Sequence, residues 1–278
     1  MHKAGTGGSR RNVLSLCRVV AVLAALPAAG AWAQGGKPHL PSAKPSLTSS
    51  AALAIIGQGI DYRDPVLAAG LLRDGEGEAV AWDVAANDPK PYAAGGTGDG
   101  ALARLILQSA PGLKLVIVKT PDNVAPALAP ALQFVASTPA SVALLVPKLS
   151  APIHRALLED AATRLPNLLL VVPARLVTGG KPAASAAVLV AADAAGSTGA
   201  GMADLFARRA GSVDQPHGQP PSTEVVGDAA AAEVAALAAQ IAEKTRKPDG
   251  KTLKQKILSL LAQVDGKPVI DITAARKR

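Results

Sequence analysis

Apolar runs that hardly alternate with polar residues recur along this chain. ALAIIG (52–57), LKLVIVKT (113–120), SVALLVPKL (141–149), NLLLVVPA (167–174) and AAVLVAAD (186–193) are of this kind, and EAVAWDV (78–84) is a shorter relative. Continuous apolar runs bounded by Gly, Pro or charged turns are the pattern of strands covered on both faces. Helical spacing falls between them. DPVLAAGLL (64–72) predicts a short helix, and ALARLILQSA (101–110) one that stops at Pro111. VAPALAPALQFVAST (124–138) predicts a weaker helix interrupted by Pro126 and Pro130. SAPIHRALLEDAATRL (150–165) predicts a helix capped by Ser150. AANDPKPYAAGGTGDG (85–100) reads as a loop, and 194–226 as an irregular segment. GDAAAAEVAALAAQIAEK (227–244) and GKTLKQKILSLLAQV (250–264) then predict an Ala-rich helix and an amphipathic one. Strands alternating with helices imply an α/β fold of three layers, with a doubly wound, mostly parallel sheet. We place that domain at 51–265 and expect a basic tail at 266–278.

The chain starts differently. Lys3, Arg10, Arg11 and Arg18 precede an apolar run from Val19 to Ala29, followed by Ala31-Trp32-Ala33. A basic region, a short apolar region and an A-x-A site predict a signal peptide over 1–33. The run is short for a bilayer span. SRRNVL also fits a twin-arginine export motif, so the Sec and twin-arginine routes both stay open. Residues 34–50, rich in Pro, Gly, Ser and Lys, read as a flexible linker. The expected location is periplasmic or secreted, with no membrane attachment after cleavage.

Composition narrows the chemistry. Without the four leader cations, 25 of the 29 Lys and Arg stand against 21 Asp and Glu, a balance of +4. No basic run is interleaved with aromatics, which argues against nucleic-acid binding. The basic clusters KTRKPDGKTLKQK and ARKR read as a solvated face and a tail. The one cysteine, Cys17, lies in the leader, so the exported chain would hold neither a disulfide nor a thiolate metal site.

Standard motifs break at identifiable residues. Gly57 and Gly59 begin a dinucleotide fingerprint, but its third glycine would be Tyr62. GGTGDGALARLIL runs a Gly-rich loop into a helix, yet Ala101 and Leu102 stand where a phosphate loop needs Lys and Ser or Thr. The histidines, His2, His39, His154 and His217, are scattered, with no H-E-x-x-H. His154 reads as an ordinary helical residue. No serine sits in G-x-S-x-G.

The order of framing residues resembles the subtilisin-like serine peptidases over about residues 52–264. AIIGQGIDYRDPVL resembles the family's first strand and following turn, keeping Gly59, Ile60, Asp61 and Pro65. AWDVAANDPKPYAAGGTGDGALARLIL has the layout of its second strand, acidic loop and His-bearing helix start, and SAPGLKLVIVKT resembles its next strand. NLLLVVPARL resembles the strand that leads to the oxyanion Asn, GDAAAAEVAALAAQI the nucleophile turn and helix, and GKTLKQKILSLLAQV the final helix.

The resemblance implies a subtilisin-like fold and places the family's catalytic positions. The Asp position falls on Gly57, the His position on Gly98 or Thr97, and the Ser position on Asp228 or Ala229. The oxyanion Asn position falls near Arg175 or Leu176. A Ser-His-Asp triad needs a hydroxyl, a base within reach and an acid orienting that base. No histidine lies between His39 and His154, where the catalytic loop must be. The implied protein is an exported pseudo-peptidase, acting as a binding or regulatory module for a peptide or protein partner. The alternative is a serine endopeptidase with a rearranged site that draws on Asp61, Asp99, His217 or Ser222. Convergence of Asp61, Asp99 and Asp228 in the cleft would favour a cationic ligand or Ca²⁺; no other cofactor is expected.

Overall fold

The computed structural model describes residues 37–38, 51–94, 98–121, 124–146, 152–195, 199–208, 223–246 and 248–277. The expected leader lies outside these residues, as do Thr97, Ser150, His217 and Ser222. So does the expected linker, apart from Lys37 and Pro38.

Along the chain come β1 (Ala52–Gly57), α1 (Pro65–Gly70), β2 (Ala81–Asp83), α2 (Gly98–Ser109), β3 (Lys114–Lys119) and α3 (Val124–Ala136). Next are β4 (Val142–Leu145), β5 (Ile153–His154), α4 (Arg155–Arg164), β6 (Leu169–Pro173), β7 (Val177–Thr178), β8 (Val188–Asp193) and β9 (Leu205–Arg208). The chain continues through α5 (Thr223–Lys244), α6 (Gly250–Leu258), β10 (Ala262–Val264), β11 (Lys267–Asp271) and α7 (Ile272–Arg276).

Nine strands form one sheet in the order β10-β11-β9-β8-β6-β4-β1-β3-β2, and β5 pairs with β7 separately. Every neighbouring pair in the large sheet is parallel except β10 with β11. The apolar runs become the central strands: β1, β4, β6 and β8 are buried at every position. Alternate residues of each central strand face opposite ways, so one sheet supplies two cores. Leu53, Ile55, Leu144 and Val171 join one core with α1, α2, α5, α6 and α7. Ala54, Ile56, Leu145 and Val172 join the other with α3 and α4. The architecture is therefore the expected three-layer α/β fold.

Helix α5 is central to the first layer. Its alanines from Ala229 to Ala239 are buried almost without exception. Side chains this small let a helix approach the sheet and α2 closely, so a chain with 2% aromatics still fills its interior. Helix α3 survives Pro130 because the lost backbone bond lies on its exposed side, while Leu128, Ala131, Leu132 and Val135 are buried.

Four expectations need correction. The helix expected from 150 starts at Arg155, and His154 is its N-cap: its Nδ1 accepts the Ala156 N–H at 3.3 Å. Histidine can do this because one neutral ring nitrogen is an acceptor. The irregular segment contains β9, which pairs with β8 and β11. The helix expected over 250–264 ends at Leu258, and 262–264 is a strand. The expected tail contributes β11 and α7, with Val269, Ile270 and Ile272 buried. Its short apolar stretch was masked by the Lys and Arg on either side.

Candidate functional site

Parallel strands all end at the same edge, and ligands of open α/β sheets bind at such edges. Here the ends of β1 and β3, the turn after β6 and the early part of α5 carry the polar groups. Gly57 ends β1, between β3 and β4 in the sheet. Its carbonyl accepts the Thr120 N–H at 2.8 Å and the Thr120 hydroxyl at 3.2 Å. A Cβ on Gly57 would lie 2.5 Å from Asp99 Oδ2 and 2.9 Å from Oδ1. The space where position 57 would carry a side chain is thus occupied by the Asp99 carboxylate.

Asp99 reaches that space from the first turn of α2 and is 2% exposed. Its Oδ2 accepts the Gln58 N–H, and the Gly59 N–H also bonds the carboxylate. Burial pushes the Asp99 carboxyl up to about 7, against these two backbone donors, and the negative charge of Asp228 adds to the rise. Gly59, at φ +86°, supplies a left-handed turn, and a Cβ there would run into the Pro91 carbonyl. The G-x-G pattern is therefore the turn that wraps backbone donors around a carboxylate.

Asp228 is held by a different partner. Arg175, in the 3₁₀ turn Ala174–Leu176 after β6, donates Nε to Oδ1 at 2.8 Å and Nη2 to Oδ2 at 2.6 Å. The two side chains are 17% and 14% exposed. This two-point pair fixes both the carboxylate and the guanidinium. Leu176 is buried and offers no donor side chain.

Asp61 does not share this arrangement. Its carboxylate takes the exposed Arg63 side chain at 2.8 and 2.7 Å, and the Arg63 guanidinium lies 5.2 Å from the Tyr92 ring centre. Among the described residues, no group of three or more His, Cys, Asp or Glu is placed to hold a metal ion. The convergence of Asp61, Asp99 and Asp228 that would favour a cationic ligand or Ca²⁺ is corrected accordingly: Asp99 faces backbone N–H groups, Asp228 faces Arg175 and Asp61 faces Arg63.

A second polar cluster at the same edge escaped sequence reading. Lys37 Nζ donates to Asp83 Oδ2 at 2.8 Å and to both Asp88 oxygens at 3.0 and 2.9 Å. Lys119 Nζ lies 3.2 Å from Asp83 Oδ2 and bonds the Tyr92 carbonyl at 3.0 Å. The Tyr62 hydroxyl donates to the Pro38 carbonyl at 3.0 Å. Burial alone would raise the Asp83 carboxyl, but bonds from Lys37, the Ala86 N–H and Lys119 hold it below its usual value. Lys37 and Pro38, expected in a flexible linker, are thus anchored to the end of β2, the loop after it and Tyr62 beyond β1. The linker composition hid this, because only partners fixed 46 and 51 residues away make Lys37 an anchor.

The mostly parallel nine-stranded sheet, with helices on both faces and its polar groups at the strand ends, is a subtilisin-like fold. Solved structures with this fold are similar to the chain at low sequence identity. The structure of subtilase cytotoxin SubAB assembly has a TM-score of 0.56 at 12% identity, covering 86% of this chain and 90% of that one. The nisin leader peptidase NisP from Lactococcus lactis has a TM-score of 0.53 at 13% identity, covering 84% and 88%. The A-subunit of the AB5 toxin from E. coli has a TM-score of 0.54 at 12% identity, covering 81% and 91%. No family model and no curated protein matches the sequence.

Proposed function

We propose that this chain is an exported subtilisin-like domain that does not hydrolyse peptides and acts as a binding or regulatory module for a peptide or protein partner. The observation that carries this reading is the occupation of position 57's side-chain space by the Asp99 carboxylate. Acyl transfer by the serine route needs a hydroxyl nucleophile, a base beside it and an acid orienting that base. In this reading Gly57, Gly98 and Asp228 stand at the three triad positions, and none supplies its required group. Asp99 cannot replace the orienting acid for a histidine, because it is turned onto the backbone at Gln58 and Gly59. Asp228 is engaged by Arg175, which stands near the oxyanion position.

The test uses the full exported chain with a fluorophosphonate probe and with unfolded casein. The expected result is no covalent labelling and no casein fragments, with casein retained on the immobilised protein. Labelling abolished by replacing a single serine would overturn the proposal in favour of a serine endopeptidase with a rearranged site. Retention equal to that of a blank surface would remove the binding role.

A further inference from the structure

The basic clusters of the sequence, at 244–256 and 276–278, are separate in the chain. The fold brings members of both to one cavity of about 310 Å³ between the C-terminal half of α5, α6 and α7. Lys244 comes from the last turn of α5, Lys256 from the last turn of α6 and Arg276 from the last turn of α7. All three line the cavity, and Ile241 and Leu260 are among its apolar residues. The carbonyls at the end of α5 already have donors: Ile241 takes both the N–H and the hydroxyl of Thr245, and Glu243 takes the Arg246 N–H.

Arg276 is the informative group. Its Nε and Nη2 are buried and make no hydrogen bond. Burial lowers its pKa, and the charge of Glu233, buried on α5, opposes that shift. A guanidinium has no acceptor character and cannot shed its proton under ordinary conditions. Unmet buried N–H groups are uncommon, and an acceptor that reaches them removes a real cost. A planar fork of donors is matched best by a planar two-oxygen acceptor.

We propose that this cavity binds a small organic anion: a carboxylate headgroup on a short apolar body. A modest turn of the Arg276 side chain presents its free N–H groups to the carboxylate. Lys244 and Lys256 flank the headgroup, and Ile241 and Leu260 take the apolar body. The volume is at the small end for ligand sites, which suits a single short chain or ring. Asp228 and Lys244 are 16 residues apart on one helix, about 24 Å along its axis. The cavity therefore lies at the far end of α5 from the strand-end groups, and this inference stands independently of the proposed function.

Calorimetric titration of the full chain with sodium octanoate tests it. Octan-1-ol serves as the uncharged analogue and inorganic phosphate as an anion without an apolar body. The expected result is saturable octanoate binding, at least tenfold weaker in R276Q and in K244Q/K256Q. Octanol and phosphate should each bind at least tenfold more weakly than octanoate. Melting curves show whether each variant is folded; if R276Q is not, K244Q/K256Q decides alone. Absence of saturable octanoate binding overturns the proposal. Equal binding of octanol or phosphate, or unchanged affinity in the folded variants, does so as well.

Discussion

The Asp99 carboxylate occupies the volume that a side chain at Gly57 would need, with 2.5 Å between Oδ2 and the position of a Cβ. Two residues 42 positions apart are therefore fitted to each other: glycine at the end of β1, aspartate at the start of α2. A change at either one is felt by the other.

G57A should destabilise the fold by about 1–3 kcal/mol, because the added methyl runs into the buried Asp99 carboxylate. D99A should also destabilise it, by freeing the Gln58 N–H and opening a void. The double variant G57A/D99A should lose clearly less than the sum, with a coupling of about 1 kcal/mol or more. Urea denaturation of the four proteins measures this. Simple additivity would show that the two residues are not fitted to each other.

The burial of Asp99 has a pH signature. Its native value of about 7 lies above the ordinary carboxylate value of 3.8. Below about pH 4 both native and unfolded chains hold the proton, and the contribution is fully present. Between about pH 4 and 7 the native state keeps a proton that the unfolded chain has lost, so stability falls as pH rises. The loss is complete above about pH 7 and amounts to roughly 3–5 kcal/mol. D99N should flatten this slope without abolishing folding. Denaturation midpoints from pH 4 to 8 in the two proteins check it, and parallel curves would count against a buried, titrating Asp99.

Arg175 and Asp228 should behave as a unit. D228A leaves a largely buried guanidinium without its two-point acceptor, and R175A leaves the carboxylate. Each should cost about 2–4 kcal/mol, while R175M/D228L should cost less than either. D228S introduces a hydroxyl but no base, so fluorophosphonate should label it no faster than it labels the parent. Rapid labelling of D228S would mean that a competent base already stands beside position 228.

Lys37 ties its segment to Asp83 and Asp88. K37A should lower stability by about 1–2 kcal/mol and leave Asp83 with Lys119 as its lysine partner. The depressed Asp83 carboxyl contributes stability that is present above its unfolded value and lost as pH falls through its native one. The acid limb of the stability profile should therefore be shallower in K37A. Urea denaturation midpoints of the parent and K37A, measured from about pH 2 to 7, check both expectations.

The sequence by itself determined the scaffold. Continuous apolar runs announced β1, β3, β4, β6 and β8, because a strand covered on both faces has no polar side to show. The Ala-rich run announced α5, and the alternation of strand and helix announced the parallel three-layer sheet. The framing residues around Gly57 to Pro65 and 227–241 pointed to the subtilisin-like arrangement. Tertiary structure decided the rest. LFAR is too short to declare itself a strand until β8 and β11 pair with it, and β11 hides between basic residues. Asp99 was a loop acid until α2 set it against Gly57, while Arg175 and Asp228 are partners across 53 residues. Local periodicity reports which face of an element is buried. It carries no information about which buried group meets which, and that meeting sets the charge, the fit and the chemistry at the strand ends.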